Sequence, residues 1–144
     1  ADGTVVSIQD GKPESIPNVA AIAKMRDDYG GNHVILKIAP NVFAGYVHLQ
    51  TGSVAVKVGD VVKAGTLLAK VGNTGPSQGP HLHFGLLDKP DFFSGRSLPF
   101  VFERFEKVGM IDFEKSEGDH VVVAPDHREV RAAYPLIGTS LNFP

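Results

Sequence analysis

Sixteen glycines and ten prolines separate many short Val, Ile and Leu runs along this 144-residue chain. That punctuation favours an all-β architecture. Residues 3–9 and 33–39 read as strands rich in β-branched residues, and Asp10-Gly11 marks a turn after the first. Residues 43–50 read as an antiparallel partner of 33–39, with Tyr46 and His48 on one face and Val47 and Leu49 on the other. Between residues 54 and 72, short apolar steps alternate with Gly turns, as suits the tight corners of a small sandwich or barrel. Residues 97–105 read as another strand. Residues 120–124 read as a short edge strand that Pro125 ends. Short helices are expected over residues 19–25 and 127–134.

Length and composition limit what such a chain does. It is long enough for one domain with a real core and too short for two comfortable ones. A net charge of −2 gives no electrostatic case for nucleic acid or an anionic membrane surface. No apolar run reaches the length of a membrane span. Cys is absent, so a transition-metal site here has to use His and carboxylates. Trp is absent too, which weakens the case for a sugar-stacking platform.

The stretch with most chemistry runs over residues 72–86. A loop of Gly, Pro, Asn and Ser delivers His81-Leu82-His83-Phe84 into an apolar strand. Side chains alternate along a strand, so His81 and His83 are expected to point the same way, about 6.5–7 Å apart at Cα. Leu82 and Phe84 are expected to turn into a core. Two imidazoles beside a loop can bind a metal or share proton transfer, or they are surface histidines on a half-exposed strand.

Three motifs then carry a resemblance. Tyr46-Val47-His48-Leu49, Val58-Gly59-Asp60-x-Val62-x-x-Gly65, and Gly72-Asn73-Thr74-Gly75-x-Ser77-x-Gly79-Pro80-His81-Leu82-His83-Phe84 closely resemble the lysostaphin/LytM-type zinc metalloendopeptidases. The likeness is ordered over residues 1–88. It implies a mainly β, single antiparallel sheet or sandwich-type domain, akin to a duplicated hybrid motif. Residues 1–95 would be the peptidase-like core, and residues 96–144 a C-terminal extension packed on the same domain. It also implies zinc, a peptidoglycan peptide as substrate, and a bacterial envelope location, periplasmic or secreted. By motif, His83 resembles a zinc ligand, and His48 and His81 resemble the catalytic histidines. Tyr46, Asn73, Thr74 and Ser77 are candidates to line the substrate groove. Tyr46 has core packing as its alternative, and the other three have bonding within their own loop. A catalytic zinc needs three protein ligands and an open position, with nearby imidazoles to move protons or stabilise an oxyanion.

The chain departs from that family in one respect. The family's first two ligands lie in a His-x-x-x-Asp motif upstream of the first strand. Four residues after its own histidines stand Lys37, Gly52, Gly85, Leu87, Ala124 and Arg131, and none is Asp. The expectation is an N-terminally truncated zinc endopeptidase, inactive as it stands and weak in zinc binding. The alternative is a degenerate member that binds peptidoglycan or regulates an envelope hydrolase without cutting. A more distant reading is a lipoyl or biotinyl carrier, because residues 58–68 also resemble that hammerhead, although Lys63 does not sit at a carrier's hairpin tip. His33, His120 and His127 are expected to be surface residues rather than ligands. Asp60 is expected to close a turn, and Phe100 and Phe102 to be core.

Overall fold

The computed structural model describes residues 1–16, 29–116 and 121–143. The helix expected over 19–25 lies outside the described residues. Every element among the described residues is a strand, and every pairing is antiparallel. The mainly β expectation therefore holds. The chain divides into two compact units, Ala1–Leu98 and Pro99–Pro144.

The first unit contains β1 (Gly3–Gln9), β2 (His33–Ala39), β3 (Val42–Val47), β4 (Val61–Val62), β5 (His83–Leu87) and β6 (Ser97–Leu98). They form one sheet in the order β4-β1-β2-β3-β5-β6. Its apolar face carries Val5, Val34, Leu36, Ala44, Leu49 and Val62, all buried, with Tyr46, Phe84, Leu86 and Leu68 packed against them. Fully burying a Val or Leu side chain contributes about 1.5–3 kcal/mol, so this face anchors the unit. A bulge sets what faces the other way. Val5 pairs with Leu36 but Ser7 pairs with Ile35, leaving Val6 as the extra residue. An extra residue reverses the alternation beyond it, so Ile8 joins the Val34 face while Ser7 and Gln9 join Ile35 and His33.

The opposite face takes its shape from two glycines. Gly45 and Gly85 are partners in the β3–β5 register. A Cβ on Gly45 would lie 2.0 Å from Phe92 Cε2, so the missing side chain is what lets the ring lie on the sheet. Phe92 then meets His83 edge-on, with centroids 5.4 Å apart.

Two expectations about side-chain direction are corrected here. β3 ends at Val47, and His48 has φ 60°. That left-handed turn breaks the alternation, so Tyr46 and Leu49 share the apolar face while Val47, paired with His33 and His83, lies on the other. Leu82 precedes β5 and remains 44% exposed, so only Phe84 of the expected pair packs on the core. Asp60 behaves as read: its carboxylate accepts the Lys57 N–H at 3.0 Å and closes the turn.

The second unit is a three-stranded sheet, β8-β7-β9, built from β7 (Phe102–Ile111), β8 (Val123–Ala133) and β9 (Thr139–Asn142). The helix expected over 127–134 is instead the end of β8, and Pro125 does not stop the strand. β8 is an edge strand, and Pro125 pairs with Gly109 where the register shifts; both settings tolerate a missing N–H. The charges of this segment pair along and across the strands, as in Arg131–Glu129 at 2.7 Å and the ion pair that joins half-buried Asp126 to buried Lys107. Phe100 and Phe102 pack against Tyr134 and, for Phe102, Phe143 at 4.8 Å. His127 is an exposed strand residue, and His120 lies outside the described residues.

Gly45→Ala is expected to force Phe92 off the sheet and destabilise the chain by about 1–3 kcal/mol, the usual range for overpacking. Urea unfolding of the variant beside the parent measures it, and an unchanged midpoint would show that Phe92 does not depend on the glycine.

Candidate active site

His48 leaves the end of β3 in the left-handed region, which non-glycine residues occupy at a cost of about 1–3 kcal/mol unless the surroundings impose it. The surroundings here do. The His48 N–H donates to Gly30 O at 3.0 Å, its carbonyl accepts the Gly72 N–H at 3.0 Å, and the residue is 4% exposed. Nδ1 lies 2.7 Å from Thr74 O. A carbonyl only accepts, so Nδ1 carries the proton, and Nε2 of the neutral ring carries the lone pair.

His81 stands just before β5, bridged to Gly72. Its Nδ1 lies 2.8 Å from Gly79 O and 3.2 Å from Ser77 Oγ. The same logic puts the proton on Nδ1. The Ser77 hydroxyl donates to Gly79 O at 3.0 Å, which leaves its oxygen to accept from the ring. His83 opens β5 and is half-buried. The His48 ring lies 4.9 Å from that of His81 and 5.7 Å from that of His83, centroid to centroid.

The three histidines of the two motifs are thus brought together, two of them with Nδ1 held by a carbonyl of the loop 72–79. Burial holds His48 and His83 below the ordinary imidazole range. His81 pushes His83 the same way, and His81 and His83 together push His48, while the bond to Thr74 O works against the shift. Both rings are neutral at neutral pH, as a proton acceptor has to be.

The proposed groove residues are placed differently. Tyr46 lies on the apolar face, 5.1 Å from the Phe84 ring. Thr74 is fully buried; its hydroxyl accepts the Asn32 N–H at 2.8 Å and donates to Leu49 O at 2.9 Å. Asn73 donates Nδ2 to Ser15 O, and Ser77 bonds within its own loop. Asn73, Thr74 and Ser77 therefore frame the loop that holds the histidines. Gly31 permits this closure: it has φ 58°, and a Cβ there would sit 2.4 Å from Thr74 O.

Sequence reasoning passed over Glu14 and Asn32. Glu14 accepts the N–H groups of Thr51 and Asn73. Asn32, fully buried, bonds both the N–H and the C=O of Lys12. The signal for Asn32 was its place in a Gly-Asn turn; Glu14 had none, because its partners are backbone groups far along the chain.

Residues 1–93 match the sequence model of Peptidase family M23. The chain belongs to this family. Among relatives of this M23 chain, peptidoglycan DD-endopeptidase ShyA of Vibrio cholerae is 31% identical over 60% of the chain and 20% of its own length. A metalloprotease of Haemophilus influenzae is 36% identical over 57% of the chain and 17% of its own length. The M23 chain thus spans about a fifth or less of these relatives. Among solved structures, a variant of the catalytic domain of the prophage-encoded M23 protein EnpA from Enterococcus faecalis is 29% identical, with a TM-score of 0.47, over 67% of this chain and 60% of that one. A zinc-containing peptidase from Vibrio cholerae is 26% identical, with a TM-score of 0.46, over 67% of this chain and 24% of that one. Membership in M23 sets the carrier reading aside, and Lys63 pairs with Asp2 at 2.8 Å.

Among the described residues of this M23 chain the donors do not complete a zinc site. No group of three or more His, Asp or Glu side chains among the described residues is arranged to hold a metal ion. Two carboxylates of the first unit are committed to backbone groups: Asp10 accepts from Gly11, Gly52 and Val54, and Glu14 from Thr51 and Asn73. His48 and His81 each have one ring nitrogen engaged by a carbonyl, whereas His83 has no such anchor among the described residues.

Thr74→Val orphans the Asn32 N–H and the Leu49 carbonyl and is expected to cost about 2–5 kcal/mol. Thr74→Ser keeps both bonds and is expected to cost about 1 kcal/mol. Equal losses in urea unfolding would show that the hydroxyl bonds contribute nothing.

A pH dependence follows from His33, whose burial holds it below its ordinary value of 6.5. Nδ1 faces Gly31 O, and Nε2 accepts from the Ser7 hydroxyl. As pH falls below about 6.5 the unfolded chain binds the proton first, so stability is full above that value and declines toward the folded pKa. His48 and His83 act in the same direction. Unfolding free energy is therefore expected to rise between about pH 5 and pH 7, with a shallower slope in His33→Gln. An equal slope in that variant would exclude His33 as a source.

Proposed function

We propose that this chain supplies the proton-handling side of a peptidoglycan endopeptidase site. The observation that supports it most is the convergence of His48, His81 and His83, with Nδ1 of the first two held by loop carbonyls and their Nε2 atoms left as acceptors. His83 is the residue that fits a zinc ligand. When bound in a complete site, zinc activates water and polarises a carbonyl. The remaining donors come from outside the described residues.

His48 and His81 then act as proton carriers. A neutral imidazole takes a proton at Nε2 and returns it to a leaving amine, while its Nδ1–H stays on the carbonyl that stabilises the imidazolium. Burial keeps His48 neutral beforehand. A ring held by Nδ1 with Nε2 left to accept suits a proton carrier. Together with M23 membership this supports an enzyme over a non-catalytic peptidoglycan binder. The family and its DD-endopeptidase relatives support peptidoglycan peptide as the substrate class and an envelope or extracellular site of action. No helix among the described residues is long and apolar enough to cross a membrane.

The test is an NMR titration of the chain with a cross-linked muropeptide, with chromatography of the peptide afterwards. Saturable shifts at His48, His81 and His83 without cleavage are expected. Absence of shifts at those rings contradicts the cell-wall peptide reading. Zinc is expected to be lost on dialysis, because stoichiometric retention needs a full ligand set. One equivalent of zinc retained in elemental analysis would contradict the donor count.

A further inference from the structure

We propose that Glu14 is a positioning residue for the histidine pair, its carboxylate joining the loop that leaves His48 to the loop that leads into His81. The inference rests on reading His48 as a proton carrier. Glu14 lies in the segment between β1 and β2, outside every motif that carries the family resemblance.

One oxygen accepts the Thr51 N–H at 2.8 Å and lies 3.1 Å from the Thr51 hydroxyl, whose nearer acceptor is Lys12 O at 2.6 Å. The other accepts the Asn73 N–H at 2.6 Å. Thr51 is three residues beyond His48, and Asn73 immediately precedes Thr74, whose carbonyl receives the His48 Nδ1–H. The two oxygens of one side chain thus set the spacing between the backbone that carries the donor ring and the backbone that carries its acceptor. Glu14 is also bridged to Thr74 in antiparallel fashion. Its carboxyl lies below the ordinary range: burial opposes ionisation, but the bonds from Thr51 and Asn73 outweigh it. Charge-assisted bonds of this kind are about twice as strong as neutral ones. They are therefore suited to holding a loop in register.

Glu14→Gln is the discriminating variant. Its amide oxygen can still serve Thr51, but its NH2 then faces the Asn73 N–H, donor against donor, at a residue that is 3% exposed. The Ser15 contacts with Asn73 and Gly75 do not involve the carboxylate and keep the segment in place. Glu14→Ala removes both anchors.

The readout is the long-range nitrogen–proton correlation spectrum of the histidine rings in the labelled full chain, above neutral pH. This reports the tautomer of each ring without turnover, so a missing peptidase activity bears on the proposed function and not on this inference. In the parent, His48 is expected as the Nδ1–H form. In Glu14→Gln the Nε2–H form of His48 is expected to grow at least about fivefold, the factor set by one weakened hydrogen bond, and further in Glu14→Ala. If the Asn73 and Thr51 amide signals move while the His48 tautomer stays as in the parent, Glu14 is a fastener only and the proposal fails. If neither variant folds, Glu14 is an element of the fold, and the proposal fails equally.

Discussion

The bond from His48 Nδ1 to the Thr74 carbonyl is the interaction on which the rest of the site depends. It fixes a buried imidazole in one tautomer and one orientation, at a residue whose backbone stands in the left-handed region. A single hydrogen bond contributes only about 0.5–1.5 kcal/mol net, comparable to the backbone strain it accompanies. It holds because its acceptor is itself fixed. The Thr74 hydroxyl ties the start of β2 through Asn32 and the segment after His48 through Leu49. Gly31 leaves the space that lets Thr74 approach. A polar network of this kind is useful only when fully satisfied, because each buried orphan costs more than a bond contributes.

The sheet serves this arrangement by separating two tasks. One face packs Val5, Val34, Leu36 and Ala44 and supplies the burial. The other presents His33, Val47 and His83 in one cross-strand row, beside the gap at Gly45 and Gly85 that receives Phe92. The bulge at Val6 turns Ser7 and Gln9 onto this second face and Ile8 onto the first. The C-terminal sheet is a separate unit and contributes none of His33, His48, His81 and His83.

How far the sequence could be read depended on how local each signal was. The strands β1 and β2 were legible because β-branched runs bounded by Gly and Pro are local signals. The histidine trio was legible because its residues lie in two compact motifs. Four features were not. The turn of His48 away from Tyr46 depends on bonds from Gly30 and Gly72 that no spacing rule contains. The strand at 127–133 was hidden because its charges suit a helix surface and a solvated edge strand alike, and Pro125, with no N–H to donate, reads as a stop unless the strand lies at a sheet edge. The framing roles of Asn73, Thr74 and Ser77 looked like groove chemistry because polar loop residues suit either use until their burial is known. Glu14 carried no motif at all, and only the fold brings it to Thr51 and Asn73.

The loop 72–79 holds the rings of His48 and His81 by Nδ1. Neutron diffraction from crystals grown at about pH 8, above the ordinary histidine range, tests it most directly. The account predicts deuterium on Nδ1 and none on Nε2 in both His48 and His81, each pointing at the carbonyl of Thr74 or Gly79. Deuterium on Nε2 with a bare Nδ1 in either ring would contradict it.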